Sequence, residues 1–229
     1  MSGHAPAAYP RMLAAATLLA ATAAILGAVL GGHAPGWLWL HWLAKPLTTA
    51  LIFALAWRAR PAVSARYRRC VLAGIAASLV GDVCLMLPGD LFVPGLLAFL
   101  LAHGCFIAAL LGDSRFARPA WPLAACLAYG AANLALLWRA IPAPLRAPVV
   151  VYVLVLASMG AQALARGLRG DATARLAARG ALVFMLSDTL LAWDRFRGPL
   201  PLASLWVLAT YDLALWWIAR SVRGATAAA

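Results

Sequence analysis

Long apolar stretches alternate along this chain with short segments where Pro, Gly, Asp and Arg collect. The apolar runs occupy residues 12–30, 37–57, 70–87, 91–112, 119–138, 147–166, 178–194 and 201–220. Most are close to the roughly 20 residues that carry an α-helix across the hydrocarbon core. The breaks are Gly31-Gly32-His33-Ala34-Pro35, Arg58–Arg69, Pro88-Gly89-Asp90, Asp113–Pro119, Arg139–Pro148, Gly167–Arg179 and Arg195–Pro201. In lipid a spanning segment must satisfy its own backbone hydrogen bonds, which a helix does. The pattern therefore predicts an all-α integral membrane protein: one domain over 1–229, eight transmembrane helices, and flexible tails at 1–11 and 221–229. The first run is longer than the roughly 7–15 apolar residues of a secretory signal and is followed by further runs, so it reads as a helix of the bundle.

Composition supports this reading. The 229 residues are 65% hydrophobic and 11% charged, where soluble domains carry about 25% charge. All seven acidic residues are Asp, set against nineteen Lys and Arg, for a net charge of +12. Nucleic-acid binding is not implied, because the arginines flank apolar runs instead of forming a basic patch interleaved with polar and aromatic groups. Their distribution sets the orientation. With the N-terminus inside, the cytoplasmic segments hold Arg11, Arg58, Arg60, Arg66, Arg68, Arg69, Arg115, Arg118, Arg166, Arg169, Arg175, Arg179, Arg220 and Arg223. The outer loops hold Arg139, Arg146, Arg195 and Arg197. Positive-inside asymmetry thus places both termini in the cytoplasm. The Ala- and Arg-rich, Lys-poor composition points to a GC-rich bacterium and its inner membrane. Tryptophans at span ends (Trp37, Trp39, Trp42, Trp57, Trp121, Trp138 and Trp193) read as an interfacial belt.

Cys70, Cys84, Cys105 and Cys126 are scattered singly without CxxC spacing, and among the histidines His103 alone lies deep in a run. No metal or other cofactor is expected. The unusual residues are the charges inside the runs: Lys45, Asp82, Asp188 and Asp212, with His103 beside them. A charge near the bilayer centre costs about 3 kcal/mol on insertion scales and marks a functional site by default. A structural ion pair between Lys45 and one Asp is the plainer alternative, and Pro46, which breaks the local helix, leaves carbonyls for the ammonium. Two carboxylates on separate helices exceed what one lysine requires, so Asp82 and Asp188 stand out. For Asp212 and His103 a packing role is equally open. Asn133, Tyr129 and Gln162 read as helix–helix hydrogen-bonding groups. Asp90, Asp113, Asp171 and Asp194 fall at span ends or in loops, where solvation explains them. The segments Gly81-Asp82-Val83-Cys84-Leu85 and Ser187-Asp188-Thr189-Leu190-Leu191 are similar and four runs apart, which suggests two parallel four-helix halves.

These residues resemble the YhhN-like proteins, a family that includes the animal lysoplasmalogenases. The resemblance rests on Lys45-Pro46-Leu47, Ser78–Leu85, Phe92–Gly95–Phe99–His103, Pro148–Tyr152–Met159, Gly180–Phe184–Ser187-Asp188–Leu191–Phe196 and Thr210-Tyr211. It departs from the family pattern at Phe106, Asp194, Asp212 and Leu215. It implies eight helices and hydrolysis of the vinyl-ether bond of lysoplasmalogens, giving a fatty aldehyde and a glycerophospho-base. On this reading the bilayer and a lysophospholipid substrate are the partners. Protonation of the terminal alkene carbon gives an oxocarbenium ion that water attacks, chemistry that two carboxylates of unequal acidity supply. Asp82 and Asp188 are the expected acid–base pair. Lys45 keeps one of them ionised or meets the substrate phosphate, and His103, Tyr152, Ser187, Tyr211 and Asp212 support or bind. A proton-coupled transporter of small molecules or lipids, using the same buried Asp and Lys groups, is the competing expectation.

Overall fold

Each apolar run folds as an α-helix, and several helices reach past their runs to polar capping residues. The computed structural model describes residues 8–224. Within them lie α1 (Ala8–Gly31), α2 (Leu38–Trp57), α3 (Ala65–Met86), α4 (Phe92–Leu110), α5 (Trp121–Leu137), α6 (Ala143–Gly167), α7 (Ala172–Arg197) and α8 (Ala203–Arg220). A 3-10 turn at Pro35–Trp37 leads into α2. Strand structure among the described residues is limited to an isolated bridge between Ala62 and Arg223. Helix α3 begins early because the Ser64 hydroxyl accepts from the Tyr67 amide at 3.0 Å. Helix α7 begins early because Asp171 does the same for Ala174 at 2.9 Å. Side-chain caps satisfy amide groups that a helix start otherwise leaves open. Helix α2 runs through Pro46 without a break, contrary to the expectation from sequence.

Six of these segments are long and apolar enough to cross a membrane: α1 from Arg11, α2 with its leading turn, α3, α4, α6 and α7. Helix α5 is a shorter apolar helix, and α8 carries Asp212 and Arg220 among its 18 residues. The chain is an integral, multi-pass membrane protein.

Sequential helices pack as neighbours, α1 on α2, α3 on α4, α5 on α6 and α7 on α8. The first four helices meet the last four where α8 packs against α1, α2 and α3 and where α4 packs against α6. Small residues set the closest approaches, because lipid offers no hydrophobic drive and helices associate by fit. A Cβ at Gly74 would lie 2.4 Å from the Phe106 ring, and one at Gly81 would lie 2.6 Å from the Phe99 ring. The α7–α8 pair repeats this register. A Cβ at Gly180 would lie 2.9 Å from the Ala214 carbonyl oxygen, and Ser187, seven residues on, donates to the Val207 carbonyl at 3.0 Å.

The tails expected at 1–11 and 221–229 need one correction. Residues 221–224 are docked, with Ser221 and Val222 fully buried, the Val63 amide donating to the Val222 carbonyl and the Gly224 amide to that of Pro61. The C-terminus of α8 is thereby tied to the α2–α3 loop. Residues 8–11 already belong to α1. Residues 1–7, including His4, and 225–229 lie outside the described residues.

Substituting Gly180→Ala forces α7 and α8 apart, because the new methyl meets backbone, which cannot turn away. The expected loss is about 1–3 kcal/mol, read as a lower midpoint of thermal unfolding in detergent. Gly104→Ala, where a Cβ meets nothing within 4 Å, is expected to leave that midpoint unchanged or slightly raised. Equal midpoints for the two variants would refute this account of the α7–α8 contact.

Candidate functional site

The intramembrane polar residues gather in two clusters. The first joins α2, α3 and α8. Lys45 Nζ donates to Asp212 Oδ1 at 2.8 Å and lies 3.6 Å from Asp82 Oδ1. It also sits 3.6 Å from the centroid of the Tyr211 ring, and the ring's electron-rich face adds attraction for the ammonium. Asp82 Oδ2 accepts from Thr49 Oγ1 at 2.7 Å and from the Tyr211 hydroxyl at 2.9 Å. Thr49 lies one helical turn beyond Lys45, so one face of α2 presents both groups to the carboxylates. The cluster is buried, with Lys45 3% and Asp82 6% exposed. Asp212 Oδ2 is buried without a hydrogen-bond partner. One cation against two carboxylates leaves a formal negative excess when both are ionised.

The second cluster joins α4, α6 and α7. Asp188 Oδ2 accepts from the Tyr152 hydroxyl at 2.7 Å and lies 3.3 Å from His103 Nε2. His103 Nε2 and the Tyr152 hydroxyl are 3.0 Å apart, closing a triangle. His103 is completely buried, whereas 10% of the Asp188 side chain is exposed. An aromatic wedge connects the clusters: the Phe184 ring packs edge-on against His103 at 4.9 Å and against Tyr211 at 5.4 Å. Phe99 completes the wedge against Phe184 and Tyr211.

Asp188 and Tyr152 open onto a crevice among α3–α7. Its walls are apolar, with Leu96, Leu134, Val153 and Ala192 among them. Polar groups on the α5–α7 side are paired with each other. The Tyr129 hydroxyl donates to Thr189 at 2.9 Å, and Trp193 Nε1 donates to Asn133 at 3.0 Å. The apolar lining around one carboxylate suits a hydrocarbon chain with one reactive polar point.

Sequence and structure diverge here in instructive ways. Asp82 and Asp188, expected as one pair, belong to different clusters, and no hydrogen bond or ion pair joins them among the described residues. Lys45 and Asp212 engage one another, and neither lines the crevice, so the substrate-phosphate contact foreseen for Lys45 has no counterpart in this geometry. Ser187 is spent on the Val207 carbonyl. His103, Tyr152 and Tyr211 do reach the carboxylates. Trp193, expected in the interfacial belt, also lines the crevice. Thr49 was overlooked, although its place one turn from an intramembrane lysine was a usable signal. Arg166, assigned to a cytoplasmic segment, is buried and grips Asp113 through Nε at 2.8 Å and Nη2 at 2.7 Å. Gln162, one turn earlier, binds Ser114, the Arg115 carbonyl and the Ala117 amide, so α6 secures the α4–α5 loop.

The fold and these clusters define a polytopic membrane protein with ionisable groups sealed inside its helix bundle and one carboxylate facing an apolar crevice. The chain belongs to the YhhN family, which matches residues 40–222 and so covers every residue of both clusters. It is 36% identical to lysoplasmalogenase TMEM86B of Homo sapiens over 173 residues, 76% of this chain and 71% of that protein. It is 37% identical to lysoplasmalogenase TMEM86B of Sus scrofa over 189 residues, 82% and 76% of the two chains. With the lysoplasmalogenase of Mycobacterium tuberculosis it shares 36% identity over 177 residues, 74% and 64% of the two. No solved structure matches the chain.

Replacing Lys45 with Met strands two buried carboxylates without their cation. Breaking a buried pair from one side costs about 3–5 kcal/mol, so Lys45→Met is expected to unfold in detergent well below the parent temperature. Adding Asp212→Asn removes one stranded charge and is expected to recover part of the loss. Additive destabilisation in that double variant would show that the two side chains are not energetically coupled.

Proposed function

We propose that this protein is a membrane-embedded lysoplasmalogenase-type hydrolase. It cleaves the vinyl-ether bond of lysoplasmalogens to a fatty aldehyde and glycerophosphoethanolamine or glycerophosphocholine. The observation that carries this reading is the position of Asp188, the carboxylate at the wall of an apolar crevice, in a family whose similar members are named lysoplasmalogenase. A single-chain lipid enters with its tail along the apolar walls and its ether at Asp188.

Both protein contacts of Asp188 fall on Oδ2, which leaves Oδ1 for substrate and water. In the proposed reaction Asp188 delivers a proton to the terminal alkene carbon, and the double-bond electrons form the new C–H bond. The carbon attached to the ether oxygen becomes an oxocarbenium centre, stabilised by the facing carboxylate. Water adds to that carbon as Asp188 takes up its proton. The hemiacetal then collapses, breaking the carbon–oxygen bond to glycerol and releasing aldehyde and alcohol. Tyr152 and His103 fix the carboxylate's orientation. Asp82, locked by Lys45, Thr49 and Tyr211, acts through the Tyr211–Phe184 contact as a positioning group. The chemistry requires no metal.

The bundle is read as eight crossings with both termini cytoplasmic, in a bacterial inner membrane. Helix α8 is less apolar because it contributes Asp212, whose charge is met inside the protein by Lys45. Two parallel halves, α1–α4 and α5–α8, account for several features together. The contacts of Gly74 with Phe106 and Gly81 with Phe99 reappear as Gly180 with Ala214 and Ser187 with Val207. Each carboxylate also takes a partner from the opposite half: Asp82 from Tyr211 and Asp188 from His103.

The test is aldehyde release from lysoplasmenylethanolamine by detergent-purified protein. Asp188→Asn is expected to lower the rate by about 10²–10⁴-fold, the usual contribution of a positioned acid–base group, in protein that keeps its unfolding temperature. Tyr152→Phe is expected to fall by roughly tenfold, the scale of one hydrogen bond to a charged group. A folded wild type that releases no aldehyde would overturn the activity. Full turnover by Asp188→Asn would overturn the mechanism alone.

A further inference from the structure

We propose that Asp90 and Arg195, which pair beside the crevice-lining Phe92, form the recognition site for a zwitterionic lipid headgroup. Arg195 takes the phosphate and Asp90 the ammonium. For the identity of the lipid this rests on the lysoplasmalogenase reading; for the headgroup chemistry it rests on the geometry of the pair.

Arg195 lies seven residues beyond Asp188 on α7, two turns along the same face, with Ala192 between them in the crevice wall. The rise from Asp188 is about 10 Å. In a single-chain glycerophospholipid a glycerol unit separates the ether oxygen from phosphorus. Glycerol and an arginine side chain, laid end to end, bridge a rise of this size. A lipid with its ether at Asp188 therefore brings its phosphate within reach of the guanidinium. The head of Arg195 is held ready there: its Cζ lies 5.0 Å from the centroid of the Phe92 ring. Phe92 lines the crevice and packs edge-on against Phe196, which lines it too.

Arg195 Nη2 contacts both Asp90 oxygens at 2.8 Å. The side chains are 41% and 70% exposed, and an exposed ion pair of this kind adds little to stability. It is therefore readily exchanged. A phosphate can engage the planar guanidinium fork as a carboxylate does, through strong acceptor oxygens. Once displaced, Asp90 stands beside the bound phosphate, where the ammonium of ethanolamine or choline restores its charge balance. A cation and an anion side by side thus mirror the two charges of the headgroup. A lipid bearing phosphate without an amine would instead meet Asp90 as a repulsive neighbour.

Binding of three saturated, non-cleavable ether lipids to detergent-purified protein tests this directly: 1-O-alkyl-glycerophosphoethanolamine, 1-O-alkyl-glycerophosphate and 1-O-alkylglycerol. Arg195→Ala is expected to weaken both phosphate lipids by roughly 10–100-fold, as for the loss of a charge-assisted contact, and to leave alkylglycerol unchanged. Asp90→Asn is expected to weaken the ethanolamine lipid and tighten the amine-free phosphate lipid, each by a few-fold. That opposite sign is the critical readout, since a merely structural latch would shift all three lipids alike in both variants. Uniform shifts, or unchanged affinities in Arg195→Ala, would overturn the headgroup site. If the binding pattern holds while wild type releases no aldehyde from vinyl-ether lipids, the headgroup site stands and the hydrolase reading falls.

Discussion

Hydrocarbon cannot solvate charge, and the contact between Lys45 and Asp212 is how this bundle meets that constraint. An ammonium on α2 and carboxylates on α3 and α8 are tolerable only when the three helices converge closely enough for the groups to satisfy one another. That need ties the second helix to the last. The same meeting of α2 and α8 delivers Tyr211 to Asp82, and the packing of α4 on α6 delivers His103 and Tyr152 to Asp188. The polar clusters are therefore part of what determines which helices touch.

The two clusters share a plan and differ in access. In each, an Asp on the third helix of a four-helix stretch receives a ring-bearing partner from the other stretch. Around Asp82 the space is filled by Lys45, Asp212 and Thr49, and nothing is left for a ligand. Around Asp188 the corresponding volume is a crevice with apolar walls. One carboxylate is thus buried for the sake of the assembly and the other faces a place where a lipid can lie. Phe184, touching both His103 and Tyr211, forms a packing contact between the two environments.

The exposed pair beside Phe92 adds a third polar layer with different physics. Asp90 and Arg195 are exposed and their attraction is screened by water, so they are as easily exchanged as the inner clusters are fixed. Under the proposed function the ionisable groups divide by burial. Those of the interior hold helices together, the one at the crevice wall is placed for chemistry, and the exposed pair is free to trade partners.

The apolar runs, their breaks and the improbable charges inside them were legible in the sequence, because periodic hydrophobicity and the expense of charge in lipid are local properties. Lys45, Asp82, His103, Asp188 and Asp212 were all found that way, and Tyr152 and Tyr211 came through the resemblance to the YhhN-like proteins. What no local property determines is which of these groups meet. The grouping of Lys45 with Asp212, the separation of Asp82 from Asp188, and the crevice opening beside only one of them follow from helix packing. Glycine contacts at Gly74, Gly81 and Gly180 and aromatic fillers at Phe99 and Phe184 set that packing between residues far apart in the chain. Arg166 and Thr49 escaped notice for the same reason: an arginine at a span end and a threonine in a helix look ordinary until a loop or a neighbouring helix supplies their partners.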